Sequence, residues 1–383
     1  MIIIFSHEVK GHYLEYLHHI YDMCRKMDEE YLFYVPEQFK DIKCLLYWEP
    51  TANVKFEYIP QETYKYYMSL GIVKRSFHLS KLLKTQIQKY KSKTIFCCSL
   101  ITILPYAPFV IQSNVKISGI IYMIYLHRWR ELSFMGKFKN VLKYVLMSYS
   151  KNIHRILILN DQKSVNKLNS LYRSKKFHYL PDPYVPIQNS NRQITIRKQY
   201  CIESEKILFS HFGALNSNKG TLDFLKSLTI LPQEISSKSH FFLAGRVDGE
   251  IKEEFYQIYD RLKNKISITL IDEFCSYEFL GDLCKESDAI VIPYKRTSQS
   301  SGVIGYASQF GKPVIAPDKG LLGDLVRDFK LGITIPDLSA TSLINAYKII
   351  LEGNYLNPDT TYCKSRTVKL FQDEISKLYI ERL

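Results

Sequence analysis

Short apolar runs alternate with helical patterns along the whole chain. In the first half, several runs of apolar, β-branched or aromatic residues are bounded by polar turns, as buried strands are. They are Ile2–Phe5, Tyr31–Val35, Thr94–Cys98, Gly119–Leu126 and Arg155–Leu159. Helical patterns at Leu14–Met27 and Val73–Tyr90 lie between several of these runs. Strands that alternate with helices predict a parallel sheet with crossover helices.

The second half of the chain repeats this rhythm. Its predicted strands are Lys206–Phe212, His240–Ala244, Ile266–Leu270, Ala289–Ile292 and Pro313–Ala316. Its predicted helices are Thr221–Ile230, Glu250–Lys263 and Phe279–Lys285. The pattern therefore predicts an α/β protein with two parallel sheets, one in each half.

The segment between the two halves has the composition of a linker. Leu180–Ile196 is rich in Pro, Asn and Ser, which favours a connection without regular structure. We expect an N-terminal Rossmann-like domain at 1–183, a C-terminal one at 184–365, and a final helix at 366–383. One face of that helix carries Leu370, Phe371, Ile375, Leu378 and Tyr379. In proteins with two Rossmann-like domains such a helix often crosses back to the first domain.

Length and composition support two buried cores in a cytoplasmic protein. The chain has 383 residues and is 46% hydrophobic, which argues against disorder. Its eight cysteines form no C-x-x-C pair and no zinc-like Cys/His spacing, so we expect reduced thiols. The start, MIIIFSHEV, lacks a basic segment and has the pattern of a first strand, not of a signal peptide. The longest near-apolar run, Ile117–Leu126, is shorter than the roughly 20 residues that span a bilayer.

Positive charge is concentrated in the first half. Residues 1–190 hold 27 Lys and Arg against 14 Asp and Glu, whereas residues 191–383 hold 25 against 24. No acidic residue lies between Thr63 and Arg130. This asymmetry predicts a polyanionic partner for the first half: anionic lipid, a lipid-linked diphosphate or nucleic acid. Because no nucleic-acid-binding module is recognisable, we expect no nucleic-acid partner.

Two basic segments of the first half have amphipathic helical patterns. Val73–Tyr90 places Leu79, Leu82, Leu83, Ile87 and Tyr90 on one face, with most of its basic residues elsewhere. This pattern is typical of a helix that lies on an anionic membrane, and also of a core-facing helix with a solvated basic side. We favour core packing, with a basic surface that still attracts a membrane. Residues 134–151 have a similar composition.

Three segments of the second half are candidates for binding an anion. The first, HFGALNSNKG at 211–220, is a glycine-containing turn between a strand and a helix, and it ends in a lysine. Such turns allow a backbone to approach a phosphate closely, and the lysine adds a charge. A plain turn with a solvated lysine gives the same pattern.

The second candidate follows the strand Ala289–Ile292. A polar loop delivers Ser300, Ser301 and Gly302 to the start of a helix, where unpaired amide groups suit a diphosphate. An ordinary serine N-cap is the alternative. The third, GKPVIAPDKGLLGDLV at 311–326, predicts another tight loop, which is either functional or structural. All three loops would lie at the carboxyl edge of one sheet, where open α/β sheets bind ligands.

These segments, in this order, resemble the donor-binding domain of GT-B glycosyltransferases, most closely the retaining family 4 (glycosyl transferases group 1). The residues that carry the resemblance are FGALNSNKG, FFLAGRV, SDAIVIPY and SSGVIGYASQFGKPVIAPDKGLLGDLV. YLPDPY at 179–184 also matches a segment before the linker. The match is good from about residue 205 to 335. Over the first half it rests on IIIFSHEVKGHYLEYL and YLHRW.

The resemblance implies two Rossmann-like domains whose parallel sheets face each other across a cleft, and a nucleotide-sugar donor that needs no metal or other cofactor. It implies that Lys219 contacts the diphosphate, together with backbone groups around Ser301, Gly302 and Val303. Phe274 is then expected near the nucleobase and Arg246 near the nucleotide. His127, at the end of the strand IIYMIYLH, is expected near the transferred sugar, and Gly11 and His12 near donor and acceptor. His127 and Lys219 are the candidate catalytic residues; Gly213, Tyr294 and Ser300 complete the expected donor site.

The resemblance also implies an acceptor and a place in the cell. The acceptor is expected to be a glycan or a polyprenyl-diphosphate-linked glycan, as in cell-surface polysaccharide synthesis. The protein is then expected in the cytoplasm, with peripheral attachment to the inner face of the plasma membrane through its basic first half.

The sequence departs from the family at two places. Ser298 and Tyr306 occupy the positions where many members carry a pair of glutamates, and Ala214 replaces an arginine. These departures keep open a non-catalytic GT-B module that binds a glycan or supports a partner transferase. A nucleotide-sugar epimerase with the same two-domain fold is a further alternative, although no acid and base pair for it can be assigned.

Overall fold

The computed structural model describes residues 1–45, 48, 50–187, 194–355, 358 and 360–380; for residues 43–45 and 378–380 it describes the backbone only. The chain divides into two compact units. The first consists of Met1–Pro183 with Val368–Leu383, and the second of Tyr184–Thr367. Between them, residues 188–193 of the expected linker lie outside the described residues.

The first unit is built on a parallel sheet of seven strands within the described residues, in the order β3-β2-β1-β4-β5-β6-β7. Its strands are β1 Ile2–Phe5, β2 Tyr31–Pro36, β3 Val54–Ile59, β4 Thr94–Cys97, β5 Lys116–Ile121, β6 Ile153–Leu159 and β7 Phe177–Leu180. Its helices are α1 His12–Cys24, α2 Phe39–Leu45, α3 Gln61–Ser69, α4 Ile72–Tyr90, α5 Ala107–Val110, α6 Phe134–Tyr149 and α7 Gln162–Leu171. Single 3₁₀ turns lie at Leu100–Ile103 and Tyr125–Arg128.

The second unit has a parallel sheet of six strands within the described residues, in the order β10-β9-β8-β11-β12-β13. Its strands are β8 Ile207–Phe212, β9 Ser239–Ala244, β10 Ile268–Ile271, β11 Ala289–Val291, β12 Val314–Pro317 and β13 Gly332–Ile335. Its helices are α8 Ile196–Gln199, α9 Thr221–Thr229, α10 Gln233–Ser236, α11 Lys252–Leu262, α12 Tyr277–Glu286, α13 Gly302–Gln309, α14 Gly320–Asp328, α15 Ala340–Leu351 and α16 Thr361–Lys364. A 3₁₀ turn lies at Ser217–Lys219.

The prediction of an α/β fold with two parallel sheets is confirmed. Each sheet has a buried apolar cluster on both of its faces, because helices cover both faces. Most of the predicted strands are internal to their sheets, where buried side chains form continuous apolar runs; β10, a half-buried edge strand, is the exception. Three strands were not predicted, and all lie at sheet edges: β3, β7 and β13.

One predicted strand is partly wrong. The apolar run Gly119–Leu126 extends beyond β5, which ends at Ile121. The rest of the run forms a turn whose side chains are held by tertiary contacts: Tyr122 donates a hydrogen bond to the Cys98 carbonyl at 2.6 Å, and the Tyr125 and Tyr172 hydroxyls are 2.7 Å apart. Buried aromatic residues in a turn give the same sequence pattern as a buried strand.

The basic segment at α4 faces the core, as favoured from the sequence. Leu79, Leu83 and Ile87 are buried in the first unit, whereas Leu82 and Tyr90 are half-buried against the same cluster.

The last helix, α17 Val368–Ile380, belongs to the first unit. Phe371 and Ile375 are buried, and the Phe371 ring stacks on Tyr16 of α1 at a centroid distance of 5.7 Å. Leu370, which the sequence places on the same face of the helix, is exposed. The side chains of Leu378 and Tyr379 lie outside the described residues.

Candidate functional site

The strand order of the second unit creates a crevice beside β8. The chain passes from β8 to β9 on one side and from β11 to β12 on the other, so the loops that follow β8 and β11 diverge. In open parallel sheets, ligands bind at the carboxyl edge at this reversal of strand order. The first two candidate loops of the sequence are the loops that flank it.

Two glycines bring the loops after β8 and β9 into contact. Gly213 has a φ of 102° and donates its amide to the Ala244 carbonyl at 2.9 Å. Gly245 has a φ of 141°, and a Cβ there would lie 1.7 Å from the Gly213 carbonyl oxygen. Only glycine fits at position 245, because a side chain would overlap the backbone of the neighbouring loop.

A third glycine holds the loops after β8 and β11 together. Gly220 has a φ of 67°, and a Cβ there would lie 1.8 Å from the Pro293 carbonyl oxygen. The Lys295 amide donates to the Asn218 carbonyl at 2.9 Å, which makes a second connection between these loops. The two loops therefore form one packed structure at the reversal of strand order.

Both the backbone amide and the ammonium group of Lys219 have fixed contacts within these packed loops. The Asn216 side chain accepts a hydrogen bond from the Lys219 amide at 3.0 Å. The Lys219 ammonium nitrogen lies 3.7 Å from the centroid of the Tyr294 ring, which is a close cation–π contact. Because Tyr294 is itself buried, its ring is a fixed platform for the ammonium group.

A buried histidine on β8 forms hydrogen bonds to the elements next to these loops. His211 on β8 has Nδ1 2.9 Å from the Val291 carbonyl oxygen and Nε2 3.0 Å from Thr221 Oγ1. Burial lowers the pKa of His211 to about 4; the hydrogen bond to Val291 opposes this effect and the Lys219 charge adds to it. The neutral imidazole therefore connects β8, β11 and the start of α9 without placing a second positive charge beneath Lys219.

Helix α13 begins close to Tyr294, the residue that Lys219 contacts, and has no side-chain cap. Ser301, the residue before the helix, directs its hydroxyl to the Tyr294 hydroxyl at 3.4 Å instead of to the helix amides. A Cβ at Gly302 would meet no atom within 4 Å, so the space beside this residue is open. The uncapped amide end of a helix attracts anions, and here it lies next to a lysine.

Arg246 and Phe274 lie farther along the same carboxyl edge. Arg246 follows β9; its carbonyl accepts from the Leu215 amide at 3.1 Å and its side chain is exposed. Asp272 braces this turn, since it accepts from the Val247 amide at 2.7 Å. Phe274 follows β10 and is 88% exposed. The predicted residues of the second unit thus share one sheet edge, with Lys219 and Tyr294 in direct contact.

Two of the three residues that depart from the family pattern are packed against neighbouring groups, and the third is exposed. Ser298 is buried in the loop before α13, and Tyr306 on α13 packs against the Tyr184 ring at a centroid distance of 5.8 Å. Ala214 is exposed in the Lys219 loop. The third candidate loop is also close-packed, because a Cβ at Gly320 would lie 2.5 Å from the Thr297 carbonyl oxygen.

The candidate residues of the first unit follow two different strands. Gly11 precedes α1 with a φ of 52° and no side-chain cap. His12 begins α1, and its exposed ring nitrogen Nδ1 is 3.5 Å from a Glu15 carboxylate oxygen.

Two candidates of the second unit remain. Ser300 lies just before α13, and Val303 lies within its first turn.

His127 lies in a 3₁₀ turn beyond β5, so its predicted position at the end of a strand is wrong. Its Nε2 is 2.6 Å from Asp161 Oδ2. Asp161 follows β6 and caps α7, accepting from the Ser164 amide at 2.9 Å. Burial would raise the pKa of Asp161, but hydrogen bonds from His127 and Ser164 lower it below its usual value. A buried carboxylate therefore fixes the orientation of the imidazole.

Three residues with clear structural roles were not singled out from the sequence: Asp161, His211 and Asn216. Asp161 lies between a buried strand and a helical segment, and Asp at the start of a helix is an N-cap pattern. Asn216 has a similar local signal, because Asn favours caps and turns. No local pattern marks His211, whose partners lie on other elements.

The described part of the chain contains no group of three or more His, Cys, Asp or Glu residues placed to hold a metal ion. Within the same residues, no helix is both long and apolar enough to cross a bilayer. The cysteines whose side chains are described are all free thiols.

The chain matches a known family over part of its sequence and is similar in structure to known proteins over its full length. Residues 192–366 match the family model for glycosyl transferases group 1. A sequence search of curated proteins finds no match.

HepE of Anabaena in complex with UDP-glucose is similar in structure, with a TM-score of 0.68, 15% identity and 100% of both chains covered. WaaG, a glycosyltransferase involved in lipopolysaccharide biosynthesis, gives 0.68 at 12% identity over 99% of both chains. An α,α-trehalose-phosphate synthase (UDP-forming) of Burkholderia vietnamiensis gives 0.70 at 9% identity over 99% of both chains.

Proposed function

We propose that this chain, which has the fold of GT-B glycosyltransferases and matches the family model for glycosyl transferases group 1 over residues 192–366, transfers a sugar from a UDP-sugar to a glycan or a polyprenyl-diphosphate-linked glycan. UDP is the proposed nucleotide because HepE is described in complexes with UDP and UDP-glucose. Cell-surface polysaccharide synthesis is the proposed setting, since WaaG acts in lipopolysaccharide biosynthesis. The reaction would take place in the cytoplasm, at the inner face of the plasma membrane.

One observation carries the donor assignment. The Lys219 ammonium lies 3.7 Å from the Tyr294 ring centroid, beside the uncapped start of α13. A fixed ammonium and the amide end of a helix together form a binding site for a diphosphate. The position at the reversal of strand order supports the same assignment. Backbone groups at Gly213 and Ser301–Val303, with the Ser300 hydroxyl, complete the proposed diphosphate contacts.

The proposed reaction needs no metal and retains the configuration of the sugar. The bond between the anomeric carbon and the phosphate oxygen breaks, and negative charge develops on the leaving diphosphate. Lys219 and the α13 amides stabilise this charge, which is electrostatic catalysis by groups already in place. An acceptor hydroxyl forms the new bond to the anomeric carbon, and its proton passes to the leaving phosphate oxygen.

The other candidates have supporting roles in this proposal. Arg246 and Phe274 contact the nucleoside, since they lie on the same sheet edge as Lys219 and their side chains are exposed. In the first unit, Gly11 and His12 contact donor and acceptor. His127 contacts the transferred sugar, and Asp161 acts as a positioning residue for its imidazole.

Nucleotide binding tests the proposal directly. Thermal stability is measured with UDP, GDP, ADP and their sugars; a ligand at 100 times its dissociation constant adds about 2.7 kcal/mol to the free energy of unfolding. We expect UDP and a UDP-sugar to stabilise the protein. Lys219→Ala should raise the Kd for UDP about 10-fold to 100-fold, because a charge-assisted contact contributes about 1.5–3 kcal/mol.

Lys226→Ala is the matched control. Lys226 lies on α9, which begins next to Lys219, and pairs with Glu254 at the surface at 2.6 Å. Its removal should leave the Kd unchanged. The donor site is wrong if no nucleotide stabilises the protein, or if both variants bind equally.

Turnover separates the enzyme from the non-catalytic alternative. The replacement of the acidic pair by Ser298 and Tyr306 favours a module that binds a donor or glycan without transferring it. Sugar release and transfer are measured with a UDP-sugar panel, with and without a chelator, and the anomeric configuration of the product is read by NMR. Donor binding without hydrolysis or transfer would support the module; inversion or loss of activity with the chelator would refute retention or metal independence.

A further inference from the structure

Helices α3 and α4 of the first unit enclose an open space of about 150 Å³. The residues that line it follow, in each helix, the i, i+3, i+4 spacing of a single helix face. They are Thr63, Tyr66 and Tyr67 of α3, and His78, Lys81, Leu82 and Thr85 of α4. Two helix faces that look toward each other therefore form this space, here called the α3–α4 cleft.

The composition of these two faces differs from that of a helix interface. Packed helices normally face each other with apolar residues, as α4 faces the core with Leu79, Leu83 and Ile87. The cleft side of α4 instead carries a histidine, a lysine and a threonine beside Leu82. Protein interiors are close-packed, so two polar faces that leave a space between them indicate a site for a polar ligand.

Aromatic rings and hydroxyl groups both line the cleft. The Tyr66 ring, 54% exposed, is perpendicular to the His78 ring, with the two centroids 5.2 Å apart. Tyr67 is fully buried, so it forms the floor of the cleft, and Thr63 and Thr85 add hydroxyl groups. A sugar ring has this dual character, because its C–H face packs against aromatic rings and its hydroxyl groups need hydrogen-bond partners.

The charge of the cleft favours a negatively charged ligand. Lys81 is exposed, and its ammonium nitrogen lies 4.4 Å from the centroid of the Phe77 ring. The described residues that line the cleft include no carboxylate. Glu62, at the start of α3, is 3.9 Å from the Lys65 ammonium nitrogen, and the next acid along the sequence is Glu131. An anion at Lys81 would therefore meet no carboxylate from the lining itself.

We propose that the α3–α4 cleft binds one sugar unit that carries a carboxylate or a phosphate. Lys81 pairs with the anion, the Tyr66 ring packs against a face of the sugar, and His78 with the two threonines bonds its hydroxyl groups. The volume limits the ligand to a single unit, since pockets for drug-sized ligands measure about 300–1,000 Å³.

Tyr67 connects the cleft to the loop that follows β1. Its hydroxyl donates to the His7 carbonyl at 3.2 Å, and both residues are buried. The same loop leads to Gly11 and His12, which are proposed to contact donor and acceptor. The source of the sugar unit rests on the proposed function: an acidic unit of the acceptor glycan would be held one side chain away from this loop. A free sugar phosphate offers the same chemistry.

Calorimetry with the full chain tests the cleft and separates the two sources. The probes are glucuronate, glucose 6-phosphate, neutral glucose, and a tetrasaccharide of alternating glucuronate and N-acetylglucosamine. We expect the Kd for glucose to be about 10-fold or more above that for the charged sugars, because glucose lacks the partner of Lys81. Tighter binding of the tetrasaccharide assigns the sugar unit to a glycan, and tighter binding of glucose 6-phosphate assigns it to a free metabolite.

Substitutions place the ligand in the cleft. Lys81→Gln should raise the Kd for glucuronate about 10-fold to 100-fold, because a charge-assisted contact is lost. Lys84→Gln is the matched control: Lys84 lies on the same helix outside the lining, and its removal should leave the Kd unchanged. Tyr66→Ala should raise the Kd about 2-fold to 10-fold, whereas Tyr66→Phe keeps the ring and should bind nearly as before.

Several outcomes would overturn the proposal. They are the absence of binding by every charged sugar, equal affinity for glucose and glucuronate, and equal losses in Lys81→Gln and Lys84→Gln. Displacement of glucuronate by UDP would place the ligand in the donor site instead, as would loss of glucuronate binding in Lys219→Ala. UDP affinity is measured separately and should be unchanged in Lys81→Gln, so failure of the cleft and failure of the proposed donor site are distinguishable. Circular dichroism of each variant checks that the fold is retained.

Discussion

The buried His211 makes the stability of the second unit dependent on pH. Its imidazole is neutral in the folded protein because burial lowers its pKa from 6.5 to about 4. In the unfolded chain the same group binds a proton at its ordinary pKa. The free energy of unfolding therefore keeps its full value above about pH 6.5. It falls as the pH is lowered toward about 4, because the unfolded state then binds more protons than the folded state.

The size of the effect follows from the two pKa values. The full difference corresponds to about 3 kcal/mol, reached below about pH 4. At about pH 5 the unfolded imidazole is nearly all protonated and the folded one is largely neutral, so the expected loss is about 2 kcal/mol. This is a large part of the stability of a typical domain.

Urea unfolding at several pH values tests this reasoning. Both tryptophans, Trp48 and Trp129, lie in the first unit, so fluorescence follows that unit. Far-UV circular dichroism follows both units, and a transition absent from the fluorescence signal belongs to the second. His211→Gln keeps a donor and an acceptor but does not titrate in this range. The variant should lose about 2 kcal/mol less than the unchanged protein between about pH 7.5 and pH 5.

The control is His12→Gln, which removes an exposed imidazole on α1. It should leave the pH dependence of the second transition unchanged. Identical pH slopes for the unchanged protein and His211→Gln would refute the assignment of this effect to His211.

The remaining predictions concern the site. Gly220→Ala should lower the free energy of unfolding by about 1–3 kcal/mol in urea, because its Cβ would overlap a carbonyl oxygen of the neighbouring loop at a positive φ. Tyr294→Leu should raise the Kd for UDP in calorimetry about 2-fold to 30-fold, since Lys219 loses a contact that contributes about 0.5–2 kcal/mol. Asp161→Asn keeps a helix cap but weakens the hold on His127, so kcat should fall about 10-fold or more, with an altered pH profile and an unchanged donor KM.

Each of these predictions has a matched comparison. Gly249→Ala meets no atom within 4 Å and should change stability by less than about 0.5 kcal/mol. Tyr294→Phe keeps the ring and should bind UDP nearly as before; equal losses in the Phe and Leu variants would contradict the cation–π role. The positioning role of Asp161 requires that Asp161→Asn combined with His127→Ala be no worse than His127→Ala alone.

The central strands and the Lys219 loop could be predicted from the sequence because their signals are local. β1 is a continuous apolar run between polar turns, and Lys219 lies within a few residues of the glycines that shape its loop. The edge strand β3 mixes polar and apolar residues, because one of its sides is less covered, and no continuous run marks it.

Other features depend on contacts between distant residues. Asp161 reaches His127 across 34 positions, so neither residue signals the pair by itself. Composition also could not separate α4 from α6, since both are basic and amphipathic. Only the packing of the first unit shows that the stripe of one is buried and that the apolar face of the other is exposed.

The membership of α17 in the first unit has a consequence for biosynthesis. Phe371 and Ile375 complete a buried cluster that begins with Ile2 and Ile4, yet the ribosome adds them only after the whole second unit. During translation the first unit therefore has an apolar surface beside α1 that stays uncovered until α17 has been made. This unfinished state of the half that is made first is where chaperones would be expected to act.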